Sequence, residues 1–121
     1  MPTTRDYRRI VLALDGALES AHMGHPDFRA NGRIFATLNH DGSAGFVTLT
    51  PDQQKRLLRE YPDVFTPAAG AWGRAGSTKV DLAAVDEETL GEALTLAWQN
   101  STTRKAKNAK RKTTDAKKGK R

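Results

Sequence analysis

Apolar side chains at Tyr7, Ile10, Val11 and Leu14 recur at i, i+3, i+4 and i+7, so the chain opens with an amphipathic helix. Thr4 is its N-cap, Gly16 its stop, and Arg5, Arg8 and Arg9 lie off the stripe on a solvated face. The pattern then shifts to that of strands. Ala30-Asn31-Gly32-Arg33 carries the Asn-Gly pair of a tight hairpin, whose two central residues need positive φ. One strand precedes it within Ser20 to Arg29, interrupted by Pro26. A second follows over Arg33 to Asn39 and, after a turn at His40-Asp41-Gly42-Ser43, a third over Gly45 to Leu49. Thr50-Pro51-Asp52-Gln53 is a helix start with a capping box and an early proline. That helix ends before Pro62 and buries Leu57, Leu58 and Tyr61. Val64 to Gly76 reads as a loop with short extended pieces, Ser77 to Leu82 as another strand, and Asp86 caps a last helix facing inward through Leu90, Leu94, Ala97 and Trp98. The order α-β-β-β-α-β-β-α predicts an α+β fold, an antiparallel sheet with helices packed on one face.

Composition changes abruptly after Asn100. Residues 101–121 contain no Leu, Ile, Val, Phe, Trp or Tyr, so burial cannot offset the entropy of ordering them, and the expected division is a folded domain over 1–100 and a disordered tail over 101–121. Ten of the tail's residues are Lys or Arg and one, Asp115, is acidic, a formal +9. The whole chain carries +6, so residues 1–100 carry −3. The basic balance belongs to the tail alone.

The remaining composition mainly excludes. Without cysteine there are no disulfides, thiolate metal sites or cysteine nucleophiles. No apolar run is long enough to span a bilayer and the polar N-terminus lacks a signal-peptide pattern, so a soluble cytoplasmic protein is the default expectation. Ser77 and the three histidines form no recognisable nucleophile–base motif, and Gly70, Gly73 and Gly76 follow no phosphate-loop spacing. His22, His25 and Asp27 are suitable metal ligands at a spacing that fits no established motif, and His25 reads better as ordering the bend before Pro26. Asp86, Glu87, Glu88 and Glu92 read as favourable charges at a helix N-terminus rather than as an iron site. The expectation is a protein without catalytic residues, metal or cofactor.

Several strings together resemble the MmcQ/YjbR-like family: Gly24-His25-Pro26-Asp27-Phe28-Arg29, Gly32-Arg33-Ile34-Phe35-Ala36-Thr37-Leu38, Pro67-Ala68-Ala69-Gly70-Ala71-Trp72-Gly73-Arg74 and the helix ending Ala97-Trp98. The similarity covers roughly Arg8 to Trp98. It implies a compact fold similar to the bacterial frataxin-like one, and a DNA-binding role. The chain departs from the family pattern at Ser77, where an aromatic is usual between Gly76 and Thr78, and at Val47-Thr48-Leu49, where the family often has a lysine.

Nucleic acid, DNA before RNA, is therefore the expected partner, with no membrane contact; the sequence fixes no oligomeric state. Arg104, Lys105, Lys107, Lys110, Arg111, Lys112, Lys117, Lys118, Lys120 and Arg121 are placed to bind polyanions by counterion release, largely without sequence preference. Within the domain, Arg29, Arg33, Arg74 and Lys79 are candidate phosphate contacts, set against ion pairing with Asp27 or Asp81. Trp72-Gly73 reads as core packing beside a tight turn. The alternative is a small-molecule or protein-binding domain with a pocket near Trp72 and Arg74, lined also by Phe28 and Phe35.

Overall fold

The computed structural model describes residues 2–22, 25–39 and 41–111, with the backbone alone at 22 and 103–111. The elements are α1 (Thr4–Leu12), β1 (Leu18–His22), β2 (His25–Ala30), β3 (Arg33–Leu38), β4 (Ala44–Thr48), α2 (Pro51–Glu60), β5 (Phe65–Pro67), α3 (Gly70–Arg74), β6 (Ser77–Asp81) and α4 (Glu87–Arg111). The strands form one antiparallel sheet in the order β1-β2-β3-β4-β6-β5. One hydrophobic cluster joins the sheet to α1 through Tyr7 and Val11, to α2 through Leu57 and to α4 through Leu90, Leu94 and Ala97.

Local chemistry explains most boundaries. The N-cap of α1 is Thr3 rather than Thr4: Asp6 N–H donates to Thr3 Oγ1 and Thr3 N–H to Asp6 Oδ2, a reciprocal capping box. Thr50 and Gln53 make the same box at the start of α2. Asp86 accepts from Thr89 N–H at 2.7 Å and caps α4. At the β2–β3 hairpin Asn31 and Gly32 take φ of 57° and 76° between the paired Ala30 and Arg33, as a primed turn requires.

Three differences from the sequence reading have physical causes. The segment before the Asn-Gly turn is two strands, because β1 folds back on β2 with Ala21 opposite Pro26. Pro26 is tolerated because the pairing of β2 with β3 begins only at Asp27, so no ladder bond to β3 is lost there. Within the expected loop, residues 70–74 form the short helix α3. The last helix does not end at Asn100. Ser101 is buried, donates to Trp98 O at 2.7 Å and receives Asn31 Nδ2 at 3.4 Å, and α4 continues to Arg111. Ser101 and Thr102 thus belong to the folded body, and the Lys and Ala residues that follow are favourable helix formers. The expectation for residues 112–121 lies outside the described residues.

Cap hydrogen bonds hold two carboxyls below the ordinary aspartate value, Asp6 first through Thr3 N–H and Asp86 first through Thr89 N–H. A depressed folded-state pKa means that each contributes stability above the unfolded value and loses it as pH falls through the folded one. The amide proton shifts of Thr3 and Thr89 are therefore expected to titrate together with their partner carboxyls, with midpoints below the unperturbed 3.8.

Candidate functional site

Among the described residues, α1, α2 and α4 pack on one face of the sheet, and α3 borders the other. Cross-strand partners share a face, so Asp27, Thr37, Phe46, Lys79 and Thr66 form one transverse row. The neighbouring row, Phe28, Ala36, Val47 and Thr78, is buried under the helices. Tyr7 anchors that covered side, its hydroxyl donating to Thr37 O at 2.8 Å, and burial raises its pKa.

A bulge shapes the open side. Pairing jumps from Phe28 with Ala36 to Arg29 with Ile34, leaving Phe35 as an extra residue in β3. Strict alternation would put Ile34 on the same side as Ala36, in the core. The extra residue turns Ile34 outward, where it is 44% exposed, and keeps Phe35 inside.

Ile34 lies in a groove on the open face that has two lobes. The larger encloses about 580 Å³ between the sheet, through Phe46, Thr48 and Ser77, and α3, through Trp72 and Ala75. The smaller encloses about 480 Å³ and adds His25, Asp27 and Asn39. Ile34, Thr37 and Phe46 are common to both. Thr48 and Ser77, at the positions where the sequence departs from the family pattern, face each other across the strands in the larger lobe.

Trp72 is 77% exposed and is not core packing as the sequence suggested. The turn that carries it is fixed from below. Gln54, buried on α2, donates through Nε2 to Gly73 O at 3.0 Å, Ser77 O at 3.1 Å and Thr78 Oγ1 at 3.1 Å. Thr78 Oγ1 in turn donates to Gly76 O at 2.8 Å. Sequence reasoning missed Gln54, which falls at i of the same i, i+3, i+4, i+7 stripe as Leu57, Leu58 and Tyr61 but is polar, so hydrophobicity alone passes over it.

The candidate cations separate into different settings. Arg29 Nε donates to Asp27 Oδ1 at 2.9 Å and its Nη2 to Oδ2 at 3.2 Å, so it is engaged by an acid on its own strand, which raises its pKa. Arg33 lies at another hollow with Asn100 and Ser101, beside the point where α4 leaves the body. Arg74 ends α3 and Lys79 stands opposite Phe46; both are exposed, and among the described residues neither makes an ion pair. Lys79 also borders a small hollow with Asp63 and Asp81. The side chains of Arg104, Lys105, Lys107, Lys110 and Arg111, and residues 112–121 entirely, lie outside the described set. The expected pocket lining is corrected in part: Trp72 borders the groove, whereas Phe28 and Phe35 are buried in the core and Arg74 is not among its walls.

Of the acids at α4, Asp86 caps the helix, Glu87 pairs with Arg9, and Glu92 with Arg56 at 3.0 Å. No group of three or more potential metal ligands occurs among the described residues.

The Asp27–Arg29 pair is asymmetric, with side-chain exposures of 2% and 44%. Removing the arginine strands a buried carboxylate, which costs more than losing an exposed charge. Arg29→Ala is expected to lower the urea midpoint of unfolding more than Arg74→Ala does, because only Arg29 is engaged by a buried acid.

An antiparallel sheet, roofed by helices on one face and grooved on the other, defines a class of small α+β domain. Within that class, the chain belongs to the YjbR family, whose model matches residues 12–100. The crystal structure of the DR2400 protein of Deinococcus radiodurans, described as a DUF419 domain, shares the fold, with 20% identity and a TM-score of 0.69 over 81% of this chain and 77% of that one. No curated protein matches the chain. No helix among the described residues is long and apolar enough to cross a membrane.

Proposed function

We propose that this is a non-enzymatic nucleic-acid-binding protein, with DNA its foremost partner, whose basic C-terminal segment supplies most of the affinity. The supporting observation is the division of charge: +9 in residues 101–121 against −3 in residues 1–100. A segment of that kind releases counterions from a phosphate backbone on binding, and the contact is largely indifferent to sequence. The segment continues α4, whose root is tied to the body by Ser101, Asn31 and Trp98, so the domain would set where the cations emerge. Arg33 beside that root, with Arg74 and Lys79, would add phosphate contacts from the body.

The test compares the full-length protein with a full-length variant whose ten tail cations are glutamine, by titrating duplex and single-stranded DNA at several salt concentrations. Loss of affinity and a flattened salt dependence in the variant support the reading; unchanged binding refutes the tail assignment. If a truncated chain is used, the cut belongs after Thr102, because a cut after Asn100 removes the buried Ser101.

The groove favours a second reading, a small-molecule or protein-binding domain, since its lining is chiefly apolar around Ile34, Phe46 and Trp72. A ligand that raises the melting temperature of the glutamine variant would support it.

A further inference from the structure

We infer that the groove on the open face of the sheet is a docking site for unpaired bases of a single-stranded nucleic acid, with Trp72 as the stacking platform. The inference rests on the nucleic-acid reading above and deepens it.

Three observations converge. Trp72 exposes an indole that buries little of itself, yet the turn beneath it is locked by Gln54 through Gly73 O and Ser77 O. A large exposed aromatic on a rigid support is a ready-made contact surface with little left to order on binding. Phe46 and Ile34 continue the apolar surface across the floor, and Thr37, Thr48 and Ser77 contribute hydroxyls that can donate or accept. The larger lobe, about 580 Å³, is within the ordinary range of roughly 300–1,000 Å³ for small-ligand sites.

Charge lies around this surface and hardly within it. Among the described residues no charged one lines the larger lobe, and Asp27 in the smaller one is taken up by Arg29. Lys79 is the cross-strand neighbour of Phe46, and Arg74 is two residues from Trp72 on α3. A flat, weakly polar ligand face with an anionic periphery matches that arrangement, and a nucleobase on its phosphate backbone has this chemistry. The +9 segment at the end of the same chain selects among sources of such a ligand, because it concentrates polyanions near the body. Duplex bases are stacked on one another and offer no free face, so the groove takes unpaired ones.

The experiment uses full-length protein, with Trp72→Ala and Trp72→Phe variants, titrated with a short oligothymidylate, its ribose counterpart, an abasic strand of equal length and a duplex. Trp72 lies outside the core, so both variants keep the fold. Trp72→Ala is expected to weaken single-strand binding about tenfold, stacking of one base spanning roughly 5- to 150-fold. Duplex affinity should stay unchanged, and Trp72→Phe should retain most of the single-strand affinity. The abasic strand should bind the wild type as weakly as the base-bearing strand binds Trp72→Ala. Loss with either sugar supports the assignment. Equal affinity for abasic and base-bearing strands, or an unchanged Trp72→Ala, overturns the groove assignment and leaves the tail reading intact. Absence of binding to every strand at low salt overturns the nucleic-acid reading itself. If anilinonaphthalene sulfonate binds the wild type but not Trp72→Ala, and saturating oligothymidylate does not displace it, the groove serves an apolar small molecule or peptide and the assignment is also overturned.

Discussion

Replacing the ten cations of residues 101–121 with glutamine is expected to weaken DNA binding near 50 mM salt by about a thousandfold or more. The logarithmic salt slope should collapse with it. If six to ten of those cations meet phosphates, the wild type should show a slope of roughly −5 to −9, at about 0.9 per phosphate. The variant, at a formal −4, keeps Arg33, Arg74 and Lys79 as its candidate phosphate contacts, so its slope should be no steeper than about −3. Glutamine is nearly as good a helix former as lysine or arginine, so the continuation of α4 is not penalised and the change reports charge. A steep slope retained by the variant would move the interface to the body.

How much of this was legible depends on whether a feature is local. Thr50 with Gln53, Asn31 with Gly32 and Asp86 before α4 act within four residues, and each does what its chemistry dictates. The family resemblance was legible as well, because its strings are distinctive as a set, and the family match over residues 12–100 bears it out.

The groove was mostly not legible, because it is built by register and by long-range support. Ile34 and Phe35 are both apolar, and only the bulge decides which of them faces the core. The usual behaviour of large aromatics points Trp72 inward, but the five-residue α3 presents it outward. Helical spacing puts Gln54 on the inner stripe of α2, but its partner Gly73 is 19 residues away, and no local pattern names that partner. Composition changes after Asn100, while the buried hydroxyl of Ser101 continues the packing of α4 at the next residue, a contact that composition does not show.

Substituting Gly76 with alanine is expected to be the most damaging single change outside the apolar core. Gly76 has φ of 118°, a conformation that residues with a Cβ rarely adopt. An added Cβ would stand 1.8 Å from Leu49 O, so it collides with backbone that no rotamer change can move. The strained φ alone costs on the order of 1–3 kcal/mol, and the collision raises the expected loss to at least about 3 kcal/mol. For a domain near 100 residues this lowers Tm by more than about 10 °C. Gly91 is the control, for it is inside α4 and a Cβ added there would meet nothing within 4 Å. Gly91→Ala should therefore be neutral to stabilising by up to about 1 kcal/mol. Thermal unfolding of the two variants separates a steric requirement at residue 76 from a general intolerance of alanine. The damage at Gly76 should also reach the groove, because Gly76 N–H donates to Gly73 O at 3.1 Å and Gly76 O accepts from Leu49 N–H at 3.2 Å. The first bond ties the end of α3 to the start of β6, and the second ties that turn to the residue after β4. Where Gly76→Ala still folds, Trp72 should lose its fixed position, seen as a changed near-UV signal and a weakened preference for single strands at unchanged tail charge.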